Sequence, residues 1–317
     1  MQPLVCVIIP TYQREKWIKA AIESVLHQTF NDFELIVVDD GSTDRTAELV
    51  RDMASRDHRI RYLYQTNRGP AGARNRGLQE ATAEVIAFLD SDDLWKPEKL
   101  QLQMETLSQN ADAGFVYCSG CFIDAEGNVD DESNRRLKPT ALYSAENILF
   151  DQVNFLTPGV LFRKHLLAKA GPFDESLEFL EDVDLWFRIL CFTRAVFLDQ
   201  ELILIRRHTE NLYKAPGRLL ALNLYRSSVQ MRRKLISFYE RHVRALSPEE
   251  ERKALHRHEI DLIKESLAQG FRSDARSMIV RYLKSYPGFL PGYFYFLLSL
   301  IPGNFLPWII AQRRKRL

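Results

Sequence analysis

Residues 33–46 read FELIVVDDGSTDRT, and the reading of this stretch decides the fold. A largely apolar run from Phe33 to Val38 ends in two aspartates and breaks at Gly41. Ser42, Thr43 and Asp44 then offer N-caps for a helix through TAELVRDMA, residues 46–54. A strand without polar alternation is buried on both faces. One that passes straight into a helix is the repeating unit of a parallel sheet.

The same unit recurs on either side. Leu4 to Ile9 reads as a strand, and REKWIKAAIESVLHQ (14–28) places Trp17, Ile18, Ala21, Ile22, Val25 and Leu26 on one helical face. IRYLYQ (60–65) is a third strand and EVIAFLD (84–90) a fourth, separated by the glycine-led helix GPAGARNRGLQEAT (69–82). KPEKLQLQMETL (96–107) follows as a helix with Pro97 in its first turn. Residues 113–129 read as strand and turn, GVLFRKHLLAKAG (159–171) as helical in its second half, FLEDVDLWFRILCF (179–192) as an acidic helix start, and AVFLDQELILIRRH (195–208) as strand. The expected fold class is α/β, a Rossmann-type, mostly parallel sheet flanked by helices. Beyond Pro216 the chain turns to long stretches rich in Leu and Arg, so a domain over 1–215 and a helical region over 216–317 are expected.

Composition narrows the function. With 317 residues, 46% hydrophobic and 27% charged, the chain can bury a real core, and its net charge of +1 gives no reason to expect nucleic-acid binding. The opening MQPLVCVIIPTY already reads as a strand, so no secretory signal is expected. Cys118 and Cys121 form a CxxC without a second one to partner it. Buried thiols in a reducing, cytoplasmic compartment are the simpler reading than metal or redox chemistry.

In a parallel sheet ligands bind beyond the carboxyl ends of the strands. Pro10-Thr11-Tyr12, Asp39-Asp40-Gly41-Ser42 and Asp90-Ser91-Asp92-Asp93 all fall at such ends, so three polar clusters are expected to converge on one edge. The last lies in FLDSDDLW (88–95), where crowded carboxylates need compensation. A divalent cation, Mn2+ or Mg2+, held by oxygen ligands and completed by substrate phosphates, would supply it. Acids favouring the start of the helix near Pro97 are the alternative.

Taken in order, VIIPTYQREKWIKAAIESVLHQTFNDFELIVVDDGSTDRT, NRGPAGARNRGLQEATAEVIAFLDSDDLWKPEKL and FLEDVDLWFRI resemble glycosyltransferase family 2, nucleotide-sugar-dependent enzymes of GT-A fold, over residues 4–208. The resemblance implies metal-dependent, inverting transfer from a nucleoside-diphosphate sugar, most commonly a UDP-sugar, to a hydroxyl of a glycan or lipid-linked acceptor, as in surface polysaccharide or glycoconjugate synthesis. By position it implies that Pro10, Thr11 and Tyr12 line the nucleotide pocket and that Asp40 accepts from the base, with Asp39 nearby. Asp90 would lie by the ribose, Ser91 would belong to the nucleotide-sugar site, Asp92 would bind the metal, and Arg74 would face the phosphates. Asp182 matches the catalytic base, with Glu181 flanking it, and His208 falls where relatives carry polar residues near the nucleotide. A non-catalytic nucleotide-sugar-binding relative, acting as an assembly partner, is the rival reading. An oxidoreductase is disfavoured because no G-x-G-x-x-G follows the first strand. A phosphatase would leave PTY and DDGS unexplained.

The tail carries a separate signal. No residue from Ser285 to Gln312 is charged, and Arg313 to Arg316 follow as RRKR. Prolines interrupt the stretch, so two short helices in a membrane interface, making a peripheral contact through 285–317, are expected, or else helices packed on the preceding segment. A homodimer through this region is a further expectation.

Overall fold

The computed structural model describes residues 3–129, 137, 142–150, 156–208, 218–268, 272–285 and 290–300. The chain divides into two compact units, Met1–Leu212 and Tyr213–Leu317.

In the first unit β1 (Val5–Thr11), β2 (Phe33–Asp39), β3 (Ile60–Tyr64) and β4 (Val85–Phe88) are the four apolar runs read from the sequence. They form parallel pairs in the order β3-β2-β1-β4. Every residue of β1, β2 and β4 is buried because helices cover both faces. Val5, Val7 and Ile9 of β1 join a core with Ile18, Ile22 and Val25 of α1 (Ile18–Leu26) and Val50 of α2 (Thr46–Arg56). Ile8, on the opposite face, meets α3 (Gly69–Glu80): a Cβ added at Gly77 would lie 2.5 Å from the Ile8 Cγ2. The glycine there lets helix and strand approach closely. Because the chain runs from β1 out to β2 and β3 and then returns to place β4 on the other side of β1, the switch in strand order falls between β1 and β4. That is where an open α/β sheet leaves a crevice.

The rest of the sheet is mixed. β7 (Val160–Arg163) runs antiparallel between β4 and β6 (Ala113–Ile123), β8 (Arg194–Arg206) runs parallel to β6, and the two-residue β5 (Leu94–Trp95) pairs antiparallel with β8. The whole order is β3-β2-β1-β4-β7-β6-β8-β5. Helices α4 (Lys99–Gln109), α5 (Ala145–Phe150), α6 (Leu167–Ala170) and α7 (Glu181–Leu190) complete the unit. Phe88, Phe115, Phe162, Phe173 and Trp186 pack edge to face or offset beneath α7. All four cysteines are free, and Cys6, Cys118 and Cys121 are buried in strands.

The second unit is helical: α8 (Arg218–His242), α9 (Pro248–Ala268), α10 (Arg272–Ser285) and α11 (Leu290–Leu300). Ile263 and Leu267 of α9 bury against Ala275, Met278, Ile279 and Tyr282 of α10, with Tyr295 and Phe296 of α11 packed on them. No helix among the described residues is long and apolar enough to cross a membrane. The second tail helix expected beyond Leu300, and RRKR, lie outside the described residues.

One buried cation stands out in the first unit. Lys99 is fully buried; its Nζ donates to Gln103 Oε1 at 2.7 Å and lies 3.9 Å from the Trp95 ring centroid. Burial pushes its pKa down from 10.5 to about 8. Since the folded value lies below the unfolded one, the folded protein gives up this proton first. The destabilising effect of the charge is then complete below pH 8 and fades as pH rises toward 10.5. Urea unfolding of wild type and Lys99→Met at pH 7 and at pH 9.5 should show the wild type gaining about 2 kcal/mol relative to the variant.

Candidate active site

Each carboxylate of the turn after β4 has its own partner. Asp90 Oδ1 accepts from Arg74 Nη2 at 2.9 Å. Asp92 Oδ2 lies 3.0 Å from His208 Nε2 and 3.5 Å from Arg14 Nε. Asp93, buried, accepts the Arg206 backbone N–H at 2.8 Å, while Arg206 Nε donates to the Asp92 carbonyl at 2.9 Å. The end of β8 is thereby stapled to the turn. Burial, then the neighbouring Asp92 and Asp90 charges, push the Asp93 carboxyl well above the usual carboxylate range. His208 stacks on Trp17, with centroids 4.0 Å apart. Ser91 is buried in the same turn.

The ends of β1 and β2 meet beside it. The Asp40 N–H donates to the Thr11 carbonyl at 2.8 Å, and the Leu89 N–H to the Ile8 carbonyl at 3.1 Å, so all three polar clusters do share one edge. Asp39 is wholly buried and satisfied within the fold, accepting from Tyr62 Oη at 2.7 Å and from the Ser42 N–H at 2.8 Å. Asp40 takes both its bonds on Oδ1, from Gln65 Nε2 at 2.7 Å and the Arg68 N–H at 2.8 Å. The Thr11 hydroxyl is buried without a hydrogen-bond partner, Pro10 lies within β1, and Tyr12 just beyond it is exposed. Gln13, at φ 54, holds the β1 and β2 loops together through its side chain: Oε1 accepts the Thr43 and Asp44 N–H groups, and Nε2 donates to Thr43 Oγ1.

The start of α7 supplies the remaining acids. Leu180 enters the helix at φ 66, in the left-handed region that residues with a side chain rarely occupy. Glu181 is buried, and its Oε1 accepts from Arg74 Nη1 at 2.7 Å. Arg74 thus bridges Asp90 and Glu181 with one guanidinium. Burial resists its charge, but the two carboxylates outweigh that and raise its pKa. For Asp90 and Glu181 themselves burial outweighs the pull of Arg74, and both carboxyls lie above the usual range. Asp182 is less buried than its neighbour; Oδ2 accepts from the Thr157 hydroxyl at 2.6 Å and Oδ1 from the Val183 N–H at 2.7 Å.

Several contacting residues went unread in the sequence. Arg14, Gln65, Arg68, Thr157 and Arg206 carry no motif of their own; only their distance-spanning hydrogen bonds reveal them. Asp92 and His208 form a carboxylate–imidazole pair; the carboxylate suits Mn2+ or Mg2+, with water and phosphate oxygens completing the shell, while the imidazole is a donor that Mg2+ does not favour.

Arg74→Met would leave the buried Glu181 and the part-exposed Asp90 without a countercharge. Urea unfolding should show a loss of about 3–5 kcal/mol, part of which Arg74→Met/Glu181→Gln regains.

Comparison with known proteins bears on the whole arrangement. The family model for Glycosyl transferase family 2 matches residues 6–167. An uncharacterized glycosyltransferase of Rickettsia typhi is 36% identical over 212 residues, covering 65% of this chain and 64% of that one. The uncharacterized glycosyltransferase EpsJ of Bacillus subtilis is 34% identical over 227 residues, covering 68% of this chain and 64% of its own length. Among solved structures, S. aureus TarS 1-349 superposes with a TM-score of 0.63 at 19% identity, covering 99% of this chain and 92% of that one. The mannosyltransferase PcManGT of Pyrobaculum calidifontis, in complex with GDP-Man and Mn2+, gives 0.57 at 19% identity, covering 100% and 88%. These structural likenesses establish a GT-A-like fold, and the sequence match establishes the lineage: the chain belongs to glycosyltransferase family 2.

Proposed function

We propose that this chain transfers a sugar from a nucleoside-diphosphate sugar to an acceptor hydroxyl by a single displacement with inversion, Asp182 acting as the base. The observation that carries this reading is the tie between the two halves of the chemistry. Arg74 holds Asp90, beside the Asp92–His208 pair, and Glu181, beside Asp182. One guanidinium thus sets a group for the leaving diphosphate and a group for the attacking hydroxyl in one frame.

Asp182 takes the proton of the acceptor hydroxyl as its oxygen forms the bond to the sugar C1. The bond from C1 to the diphosphate oxygen breaks, and its electron pair leaves with the diphosphate. Asp92 and His208 would hold a divalent cation, which supplies neutralising charge to the departing diphosphate. Thr11 and Asp40 suit a nucleobase: a buried hydroxyl lacking a partner, and a carboxylate whose Oδ2 is not taken by the bonds from Gln65 and Arg68. The exposed Tyr12 ring lies beside them for stacking. TarS has been solved with UDP-GlcNAc and PcManGT with GDP-Man, which supports a nucleotide-sugar donor; uracil is the base favoured by the family resemblance. The acceptor we propose is a glycan or lipid-linked hydroxyl in glycoconjugate synthesis.

A membrane contact fits the second unit. Tyr293, Leu297 and Leu300 are exposed at helical spacing on α11, a helix without a charged residue, and the uncharged sequence runs on to RRKR.

Two measurements follow. Nucleoside diphosphate release from UDP-, GDP- and dTDP-sugars with Mn2+ should identify one donor, and Asp92→Ala and Asp182→Asn should each lower its turnover at least about a hundredfold. Donor binding by wild type without turnover, in the presence of candidate acceptors, would turn the reading into that of a binding protein. Cosedimentation with vesicles containing anionic lipid should be strong for wild type and weaker for Tyr293→Ser/Leu297→Ser/Leu300→Ser. Equal pelleting of both would remove the α11 contact.

A further inference from the structure

We propose that Thr157 is a positioning residue for Asp182, and that the turn carrying it is held by the strand that leaves the Asp90–Asp93 turn. The proposal rests on the assignment of Asp182 as the base. A carboxylate that rotates freely presents its lone pairs in many directions, and a base works only when one is aimed at the proton it removes. Here the buried Thr157 hydroxyl donates to Asp182 Oδ2 at 2.6 Å, a short charge-assisted bond, while the Val183 N–H binds Oδ1 at 2.7 Å. The carboxylate plane is fixed from both sides. When Asp182 accepts a proton, the hydroxyl of Thr157 can turn and become the acceptor, but that neutral bond is weaker, so the contact favours the ionised carboxylate.

Thr157 is itself immobilised. Thr157-Pro158-Gly159 form a buried 3-10 turn whose carbonyls are bonded from three other elements. Trp95 Nε1 donates to the Pro158 carbonyl at 2.9 Å, and Gln103 Nε2 donates to the Gly159 carbonyl at 2.8 Å. Cys118 Sγ adds a weaker bond to the same Gly159 oxygen at 3.6 Å. Gln103 is oriented in turn by Lys99, whose Nζ donates to its Oε1 at 2.7 Å. Trp95 follows Asp93 by two positions on β5. One indole therefore joins the turn bearing Asp92 to the turn bearing Thr157, and a bond of ordinary fold-stabilising kind becomes a spacer between base and leaving-group site.

The test compares wild type, Thr157→Val, Thr157→Ser, Trp95→Phe and Asp182→Asn. The readout is Mn2+-dependent release of nucleoside diphosphate to water from UDP-GlcNAc and GDP-mannose between pH 5 and 9. Thr157→Val should lose about ten- to a hundredfold in kcat with donor KM within about twofold, and the acid limb of its pH–rate profile should move up by about one unit. Thr157→Ser should recover to within about threefold of wild type, and Trp95→Phe, which drops only the Nε1–H, should lose about fivefold. Unchanged kcat and acid limb in Thr157→Val, beside a crippled Asp182→Asn, would overturn the Thr157 role and leave the base assignment standing. Undiminished turnover in Asp182→Asn would overturn both. Where neither donor turns over, or Thr157→Val does not fold, the 13C titration of the Asp182 carboxyl, identified by its loss in Asp182→Asn, decides. A midpoint at higher pH in Thr157→Val, or in Trp95→Phe if only that variant folds, supports the proposal; a midpoint equal to wild type refutes it.

Discussion

Crowded negative charge at the end of β4 is the constraint around which the first unit is arranged. Asp90, Asp92 and Asp93 stand within four positions, and Glu181 is drawn in from α7. Left alone they would repel one another and resist burial. The fold brings cationic or N–H partners to all of them: Arg74 from α3, shared by Asp90 and Glu181, Arg14 from the β1 loop, and Arg206 and His208 from the end of β8 and just beyond it. The sheet topology follows the same need. β8 must end beside a turn more than a hundred positions earlier in the chain, and the two-residue β5 pairs with it to keep it there. In the proposed reaction, substrate and cation would meet a surface whose charges are already oriented, leaving little reorganisation for the moment of reaction.

The parallel half of the sheet was legible because its strands are largely apolar runs, each closed by a polar cluster and followed by a helical period. β5 was not, since two residues such as Leu94 and Trp95 carry no periodicity. The reversed direction of β7 was hidden too: VLFR reads the same in either sense, and only the register, from Val85 opposite Arg163 to Ala87 opposite Leu161, discloses it. At the site, the acids could be picked out because they interrupt apolar runs at strand ends. Their partners could not, because a hydrogen bond such as Thr157 to Asp182 joins two short polar stretches with no pattern linking them. Arg74 is instructive in another way. The family resemblance implies a phosphate contact for it, and the structure adds bonds from its guanidinium to two carboxylates of the protein itself.

The second unit obeys plainer rules. Alanine, methionine and isoleucine on α9 and α10 interlock into a small helical core, and the aromatic residues of α11 divide between that core and solvent. Tyr295 and Phe296 belong to the core, while Tyr293 and Leu297 do not, so one short apolar helix serves as filler on one side and as an outward-facing apolar surface on the other.

The bridge through Arg74 also bears on how such a sequence can diverge. Its three members come from a helix, a strand-end turn and a second helix start; loss of Arg74 strands two carboxylates, while loss of either acid leaves the guanidinium with a single partner. Drift at these positions is therefore channelled into concerted replacements, passing through intermediates that fold poorly. Positions that exchange only as a set persist long after the loops around them have been rewritten, so among distant descendants of this chain the triad should outlast the residues that choose its substrates.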